Sequence, residues 1–471
     1  MSQPKKPRKR AHINNWNEAI SPIDYRYWDE ALKPFLSVGA FIDFQVQYQQ
    51  AIAKAHCDIG HRPSHVHDEV VRACKKVTTT RVYTEEGRIR HDVQSLINVI
   101  NRGESNEVKT IVNFAATSYD SISTADAARY KAFVKMVFLP AALRLIRVLI
   151  SQIEDYAYIR QIGRTHLQHA EPITFGFNLA WHLDRIGDCV EQIEDRSERL
   201  LGKYSGPVGT HAALRATVTD PHKVERAVLM EMDLVPGRIS TQIVKPEPLA
   251  RLIFEVLTLT TALANMAEDM RQLSATEIGE VSEPFGSQQV GSAGMPHKDS
   301  NPISFENTYG EWINIIPRMQ TVFMTMISNH QRDLRNSMPF RTFPEIFAYA
   351  FVAVVTITRA METLKVNTSR CQQNFALKGD LILAELVKVL LMEAGHPRAY
   401  KTAQKLAKKA KEKSLSLLEV VQSERALKPY LTNVMSGQWD LLADPYQYVG
   451  TAVEDSLTVV AYWREYCAKY K

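Results

Sequence analysis

Leu249, Leu252, Val256, Leu259, Leu263, Met266, Met270 and Leu273 follow one another by steps of three and four without a break. That spacing puts all eight on one stripe of a single helix. At about 1.5 Å per residue the segment 249–273 spans on the order of 37 Å, longer than one compact domain usually needs. A helix that long has to lie against partners of similar length. Three further stripes repeat the pattern: Met136, Leu139, Leu143, Ile146, Ile150 and Ile153; Trp312, Ile316, Met319, Phe323 and Met326; and Ile346, Ala350, Ala353, Ile357, Met361 and Leu364. The segment 172–201 supplies a fifth long helix, and Pro140 and Pro317 fall inside two of these helices and should bend them. Three-four alternation is the geometry of near-parallel helices in a bundle. A bundle of this length commonly completes itself with other subunits; a monomeric bundle is the alternative.

The flanks are less regular. Residues 1–24 read as a basic tail and lead-in, 25–124 as an N-terminal helical domain, 125–365 as the central long-helix bundle domain and 366–471 as a C-terminal helical domain. The expected fold class is therefore all-α with three helical domains. No strand-rich segment, Gly-rich nucleotide fingerprint or internal repeat stands out. At 471 residues and 45% hydrophobic, the chain can bury a large core. Its longest apolar run, 346–358, falls short of the roughly 18–20 residues of a membrane span and reads as a buried helix. No signal-peptide pattern is visible, so no membrane partner is expected.

Five cysteines, Cys57, Cys74, Cys189, Cys371 and Cys467, are odd in number and widely spread. They imply neither a disulfide framework nor a zinc site, and point to a reduced, cytoplasmic setting. The net charge of +5 is modest, and part of it sits in "KKPRKR" at 5–10. That run is either a nucleic-acid or nuclear-address patch or a solvated tail. A second basic run, 401–413, spaces its lysines around a helix as a solvated face does. Neither run interleaves aromatics, so nucleic acid is not an expected partner.

The chemistry concentrates in "GSAGMPHKDSNP", 291–302. Gly291, Gly294, Pro296 and Pro302 make it a loop, because glycine costs backbone entropy in regular structure and proline removes a donor. A lyase that breaks a C–N or C–O bond beside a carboxylate needs a base for a weakly acidic C–H, a cation to hold the carbanion, and an acid for the leaving atom. Ser292 beside Lys298, closed into a nest of backbone N–H groups, answers the first two demands. Taken alone, a Ser and a Lys in a loop are also ordinary surface residues.

The segment resembles the signature loop "GSSxMPxKxNP" of the fumarase/aspartase superfamily, and other family segments recur in the same order. "GRTHLQHAEPITFG", 163–176, is similar to its Thr-His segment, which makes His166 the counterpart of the general acid, next to Thr165. "SFEN", 304–307, places Glu306 where the family has the carboxylate that pairs with that His, and "YSGPVGT", 204–210, resembles the connection after the second bundle helix. Four segments resemble the adenylosuccinate lyase family in particular. "SPIDYRY", 21–27, carries Arg26 and Tyr27; "RHDV", 90–93, carries His91 and Asp92; "STQIV", 240–244, carries the substrate-binding Gln242. "QRDLRNSMPFR", 331–341, is similar to that family's "QRDLxxSxxxR", in which Arg332, Ser337 and Arg341 would meet a nucleotide phosphate, as Arg's planar fork suits phosphate oxygens. Thr117 and Ser118 match the family's "TSxD"; they either cap a helix or bind a substrate carboxylate. His91 is either structural or a substrate contact.

Three departures are visible. Ala293 replaces the second Ser of the signature, one extra residue within "KDSNP" shifts Asn301 relative to Lys298, and Asn113 stands where adenylosuccinate lyases usually have His. The last two touch substrate contacts. The resemblance implies a fumarase/aspartase-type homotetramer with sites assembled at subunit contacts, cleaving adenylosuccinate to AMP and fumarate and SAICAR to AICAR and fumarate. In that scheme Ser292 is the base, Lys298 and Asn301 hold the carboxylate, His166 oriented by Glu306 is the acid, and Met295 and Asn113 are substrate contacts. No metal or organic cofactor is implied, since the substrate's own carboxylate is the electron sink. Two alternatives stay open: a lyase of the same chemistry on another succinyl or carboxylate substrate, and a non-enzymatic scaffold.

Overall fold

The computed structural model describes residues 20–21, 27–285, 294–298, 300–432, 434 and 436–470. The N-terminal basic run, Arg26 and Ser292 lie outside the described residues. The long helices implied by the stripes are Leu139–Tyr156, Phe175–Glu198, Glu247–Leu273, Ile303–Ile315 continued by Arg318–Thr325, and Phe343–Thr363. Along Glu247–Leu273, Leu252, Val256, Leu259, Leu263, Met266 and Met270 are all fully buried. Ile346, Ala350, Ala353, Ile357 and Met361 are buried in the same way on Phe343–Thr363.

The third stripe departs from expectation by one residue, about 100° around a helix. The inward positions are Phe305, Thr308, Glu311, Ile315, Val322 and Thr325, while Phe323 is 56% exposed. Polar side chains share the buried stripe, so counting apolar spacing selects the neighbouring, half-open one. Pro317 separates the two helices of this segment as the N-cap of Arg318–Thr325. Pro140, second in Leu139–Tyr156, follows the π-turn Val134–Phe138. Its ring would collide with the carbonyl four residues back, and the wider turn accommodates it.

A second correction concerns strands. Residues 160–174, expected to carry none, form an antiparallel hairpin of Arg160–Thr165 and Gln168–Thr174. Its register runs from Arg160 opposite Thr174 to Thr165 opposite Gln168, with a bulge at Gly163 between Ile162 and Arg164. Gly163 is required there, because a Cβ would stand 2.9 Å from the Glu171 carbonyl oxygen. Two shorter pairings join Leu201–Gly202 with Val235–Pro236 and Val281–Ser282 with Lys365–Val366.

The chain divides into two compact units. One comprises Met1–Leu143, Asp188–Ala264 and Asn307–Thr356. In it Val38–Asp58 packs on Ser118–Phe133, Ser64–Cys74 and Pro221–Glu231. Phe133 is fully buried with Phe35, Phe138, Phe347 and Phe351 at ring separations of 6.0 to 6.3 Å, in tilted or edge-on arrangements that aromatic quadrupoles favour. The other unit comprises Arg144–Gly187, Asn265–Glu306 and Ile357–Lys471. Leu383, Leu391, Leu417 and Val420 sit at the centre of its C-terminal helical core. Trp463 is buried over Gly187, where any side chain would strike the indole, and donates its Nε1 proton to Asp184 Oδ1 at 3.0 Å.

Candidate active site

Within the first unit a cavity of about 470 Å³ gathers His91, Asp92, Thr117, Ser118, Gln242, Ser337 and Arg341, seven of the residues picked out by sequence. Local structure explains how each is aimed. His91 is the N-cap of Asp92–Ile100, and its Nδ1 accepts the Gln94 N–H at 3.2 Å. The ring proton therefore sits on Nε2, which stays available as a donor. Thr117 caps Ser118–Phe133 in a capping box completed by Asp120, so the N-terminal residues of that helix open on the cavity. Thr117 is thus both a cap and a cavity residue.

Asp120 itself is fully buried. Its carboxylate accepts the N–H groups of Thr117 at 2.7 Å and of Ser205 and Gly206 at 3.1 Å each, and pairs with the buried Lys203 ammonium. This contact ties "TSYD" to "YSGPVGT", two segments that sequence reading kept apart.

Two arginines stand against Tyr119, Ser337 and Asp92. Arg332 lies 3.6 Å over the Tyr119 ring and donates to Ser337 Oγ at 3.2 Å, while the Tyr119 hydroxyl and Ser337 Oγ are 2.9 Å apart. Burial lowers the Arg332 guanidinium from its ordinary value, though an arginine remains cationic at physiological pH. Arg341 stands 3.6 Å from Asp92 and 5.6 Å over the Phe41 ring, and is 54% exposed. Deeper in, Arg129 donates to Asp126 Oδ1 at 2.8 Å. Burial pushes the Asp126 carboxyl up, against the pull of Arg129 and Arg341.

Sequence reasoning missed Tyr119, Asp126 and Arg129, all of which line the cavity. The signal was present: Tyr119, Ile122, Asp126 and Arg129 step by three and four from inside the "TSYD" match, one face of one helix. Arg332, Asn113 and Tyr27 are not among the lining residues. Asn113 is left-handed, with φ 59°, and its N–H donates to Gln49 Oε1 at 2.7 Å.

The remaining residues belong to the second unit. His166 and Leu167 form the two-residue turn of the 160–174 hairpin, with φ 53° and 59°. Two consecutive positive φ values are the primed-turn geometry that matches strand twist. This turn presents the imidazole in an exposed position. Behind it, Arg164 and Gln161 clamp the hairpin to the fully buried Glu280 through bonds of 2.6 and 2.7 Å. Thr165 is exposed beside His166.

The signature loop is pinned at its base. Glu283 accepts the Ser304 hydroxyl at 2.6 Å and the Ser304 N–H at 3.0 Å, and Pro284 bridges to Ser300. Lys298 and Met295 are exposed and joined by a turn bond of 3.2 Å. Asn301 is half-buried, and Glu306 is exposed in the first turn of Ile303–Ile315. Among the described residues of one chain, His166 and Glu306 share neither hydrogen bond nor ion pair.

Comparison with known proteins shows the family and the fold. A family model described as lyase matches residues 14–316, and one described as adenylosuccinate lyase C-terminal matches residues 328–435. The 3-carboxy-cis,cis-muconate lactonizing enzyme of Pseudomonas putida superposes with a TM-score of 0.80 at 24% identity, covering 94% of this chain and 99% of that one. A fumarate lyase from Mesorhizobium sp. BNC1 gives 0.79 at 22% identity, with 92% and 98% covered. Fold and site together define a helical lyase of the fumarase/aspartase type. Adenylosuccinate lyase of Pyrococcus horikoshii is 33% identical over 464 residues, 95% of this chain and 98% of the relative. That of Archaeoglobus fulgidus is 30% identical over 451 residues, with 95% and 99% covered. The chain belongs to the adenylosuccinate lyase family.

Proposed function

We propose that this protein cleaves adenylosuccinate to AMP and fumarate, and SAICAR to AICAR and fumarate. The observation that carries the substrate is the gathering of Ser337 and Arg341 with Gln242, Thr117 and Ser118 around one cavity, where Ser337 also accepts a hydrogen bond from Arg332. Two guanidinium groups, a hydroxyl and a helix N-terminus suit a phosphate and a carboxylate. A phosphate-free succinyl substrate offers this cluster carboxylates but no phosphate.

The reaction is a β-elimination. Ser292 removes a proton from the succinyl carbon next to a carboxylate, and the electron pair moves onto that carboxylate, whose added charge Lys298 and Asn301 hold. The pair then forms the fumarate double bond as the C–N bond breaks, and His166 protonates the departing nitrogen. Glu306 orients His166 in a site assembled from more than one copy of the chain, a homotetramer. Support for self-association comes from the outer face of the helices between Ile303 and Thr325, where Ile313, Phe323 and Met324, with Ile327 just beyond, are 54 to 73% exposed. Glu311 on the same segment is buried with neither carboxyl oxygen hydrogen-bonded, and burial pushes its carboxyl up to about 8.

The test is substrate choice. Arg341→Ala is expected to lower kcat/KM for adenylosuccinate by roughly 2–4 kcal/mol of transition-state stabilisation, the cost of leaving a bound anion short of a charged partner. Adenylosuccinate, argininosuccinate and malate are compared by the absorbance of fumarate formation or consumption. Preference for either phosphate-free compound, or indifference to Arg341→Ala, overturns the substrate while leaving the elimination chemistry standing.

A further inference from the structure

The chemistry above leaves His211, His222 and Glu225 unused. His222 and Glu225 lie three residues apart on Pro221–Glu231, so both leave the same face of the helix. His211 reaches them from the loop after Gly209, with φ 56°, a left-handed conformation that histidine adopts more readily than most side chains. The His211 N–H bonds the Ser205 carbonyl at 2.9 Å, which fixes where the imidazole starts. Its Nε2 stands 2.9 Å from Glu225 Oε2, and the two imidazole rings are 4.6 Å apart. One donor atom from each of the three residues falls within 4.8 Å of the other two. The second Glu225 oxygen accepts the Tyr204 N–H at 2.9 Å, orienting the carboxylate as outer hydrogen bonds orient metal ligands.

We propose that His211, His222 and Glu225 bind a divalent transition-metal cation of the zinc, nickel or cobalt kind. Two imidazoles and one carboxylate form the borderline donor set these ions take, whereas magnesium and calcium prefer all-oxygen sites. Ligand atoms about 2.0–2.1 Å from a metal are closer together than 4.8 Å, so the cluster must tighten on binding. His222 supplies that movement because it is exposed, while Glu225, at 5% exposure, stays fixed. The open coordination positions face a cavity of about 510 Å³. Arg226, Arg238 and Lys245 line the same cavity. Their charge opposes a bare dication and would attract an anion, so inorganic phosphate is the competing occupant.

The full chain is titrated calorimetrically with nickel chloride, zinc chloride and, separately, inorganic phosphate. One saturable metal site per chain is expected, with at least tenfold weaker binding in His222→Ala. That position is exposed, so the variant should fold. His65→Ala, an exposed histidine away from the cluster, should bind as the wild type does. Cobalt(II) should give a visible absorption band that His222→Ala loses. Metal binding unchanged in His222→Ala, saturation by phosphate alone, or no saturable metal binding would each overturn the proposal.

Discussion

Exchange of His166 for asparagine is expected to lower turnover of adenylosuccinate at least about a hundredfold, the lower end of what a positioned acid contributes. Asparagine is the informative replacement. His166 occupies the first position of a two-residue turn at φ 53°, and Asn is favoured there whereas Ala is strained. The hairpin stays anchored through Arg164, Gln161 and Glu280, so any loss belongs to the imidazole. Steady-state rates and circular dichroism check both halves, and turnover within about threefold of wild type would remove His166 from the acid role. If sites are shared between copies, mixing inactive His166→Asn and Ser292→Ala proteins restores part of the activity. Dead hybrids of verified mixed composition would mean that each site draws both groups from one chain.

How far the sequence could be read depended on what each feature competes with. The stripe from Leu249 to Leu273 was unambiguous because a continuous run of buried apolar residues leaves one possible inward face. The stripe from Trp312 to Met326 misled by one position because Thr308, Glu311 and Thr325 lie inward while Phe323 and Met324 lie outward. Apolar spacing finds the most hydrophobic face, and here an exposed face is as hydrophobic as the buried one beside it. The hairpin at 160–174 escaped because its strands are polar, carry Pro172 and a bulge at Gly163, and turn on His166 and Leu167 rather than on glycine. Motif resemblance found His91, Asp92, Thr117, Ser118, Gln242, Ser337 and Arg341, and the structure brings them to one cavity. Resemblance passes over positions a motif leaves free, which is why Tyr119, inside "TSYD", had to be found through its contacts with Arg332 and Ser337.

The buried ion pair behind that motif carries the largest expected effect on stability. Asp120→Ala should cost roughly 3–5 kcal/mol, the usual penalty for breaking a buried pair and leaving one charge behind. It strands the Lys203 ammonium, which is 1% exposed, and leaves the N–H groups of Thr117, Ser205 and Gly206 without their carboxylate. Lys203→Met should cost distinctly less, because the Asp120 carboxylate would keep three N–H donors that favour its charged form. The asymmetry separates two accounts of the same contact. If charge pairing dominates, the two substitutions destabilise equally; if the carboxylate acts as a hub for backbone amides, Asp120→Ala is the worse. Urea unfolding at one fixed protein concentration measures both, and equal losses would reject the hub. The hub account also requires Asp120→Ala to weaken substrate binding, since Thr117 and Ser118 at the cavity edge are held by the same carboxylate. A variant that loses stability and keeps its KM would confine Asp120 to the fold.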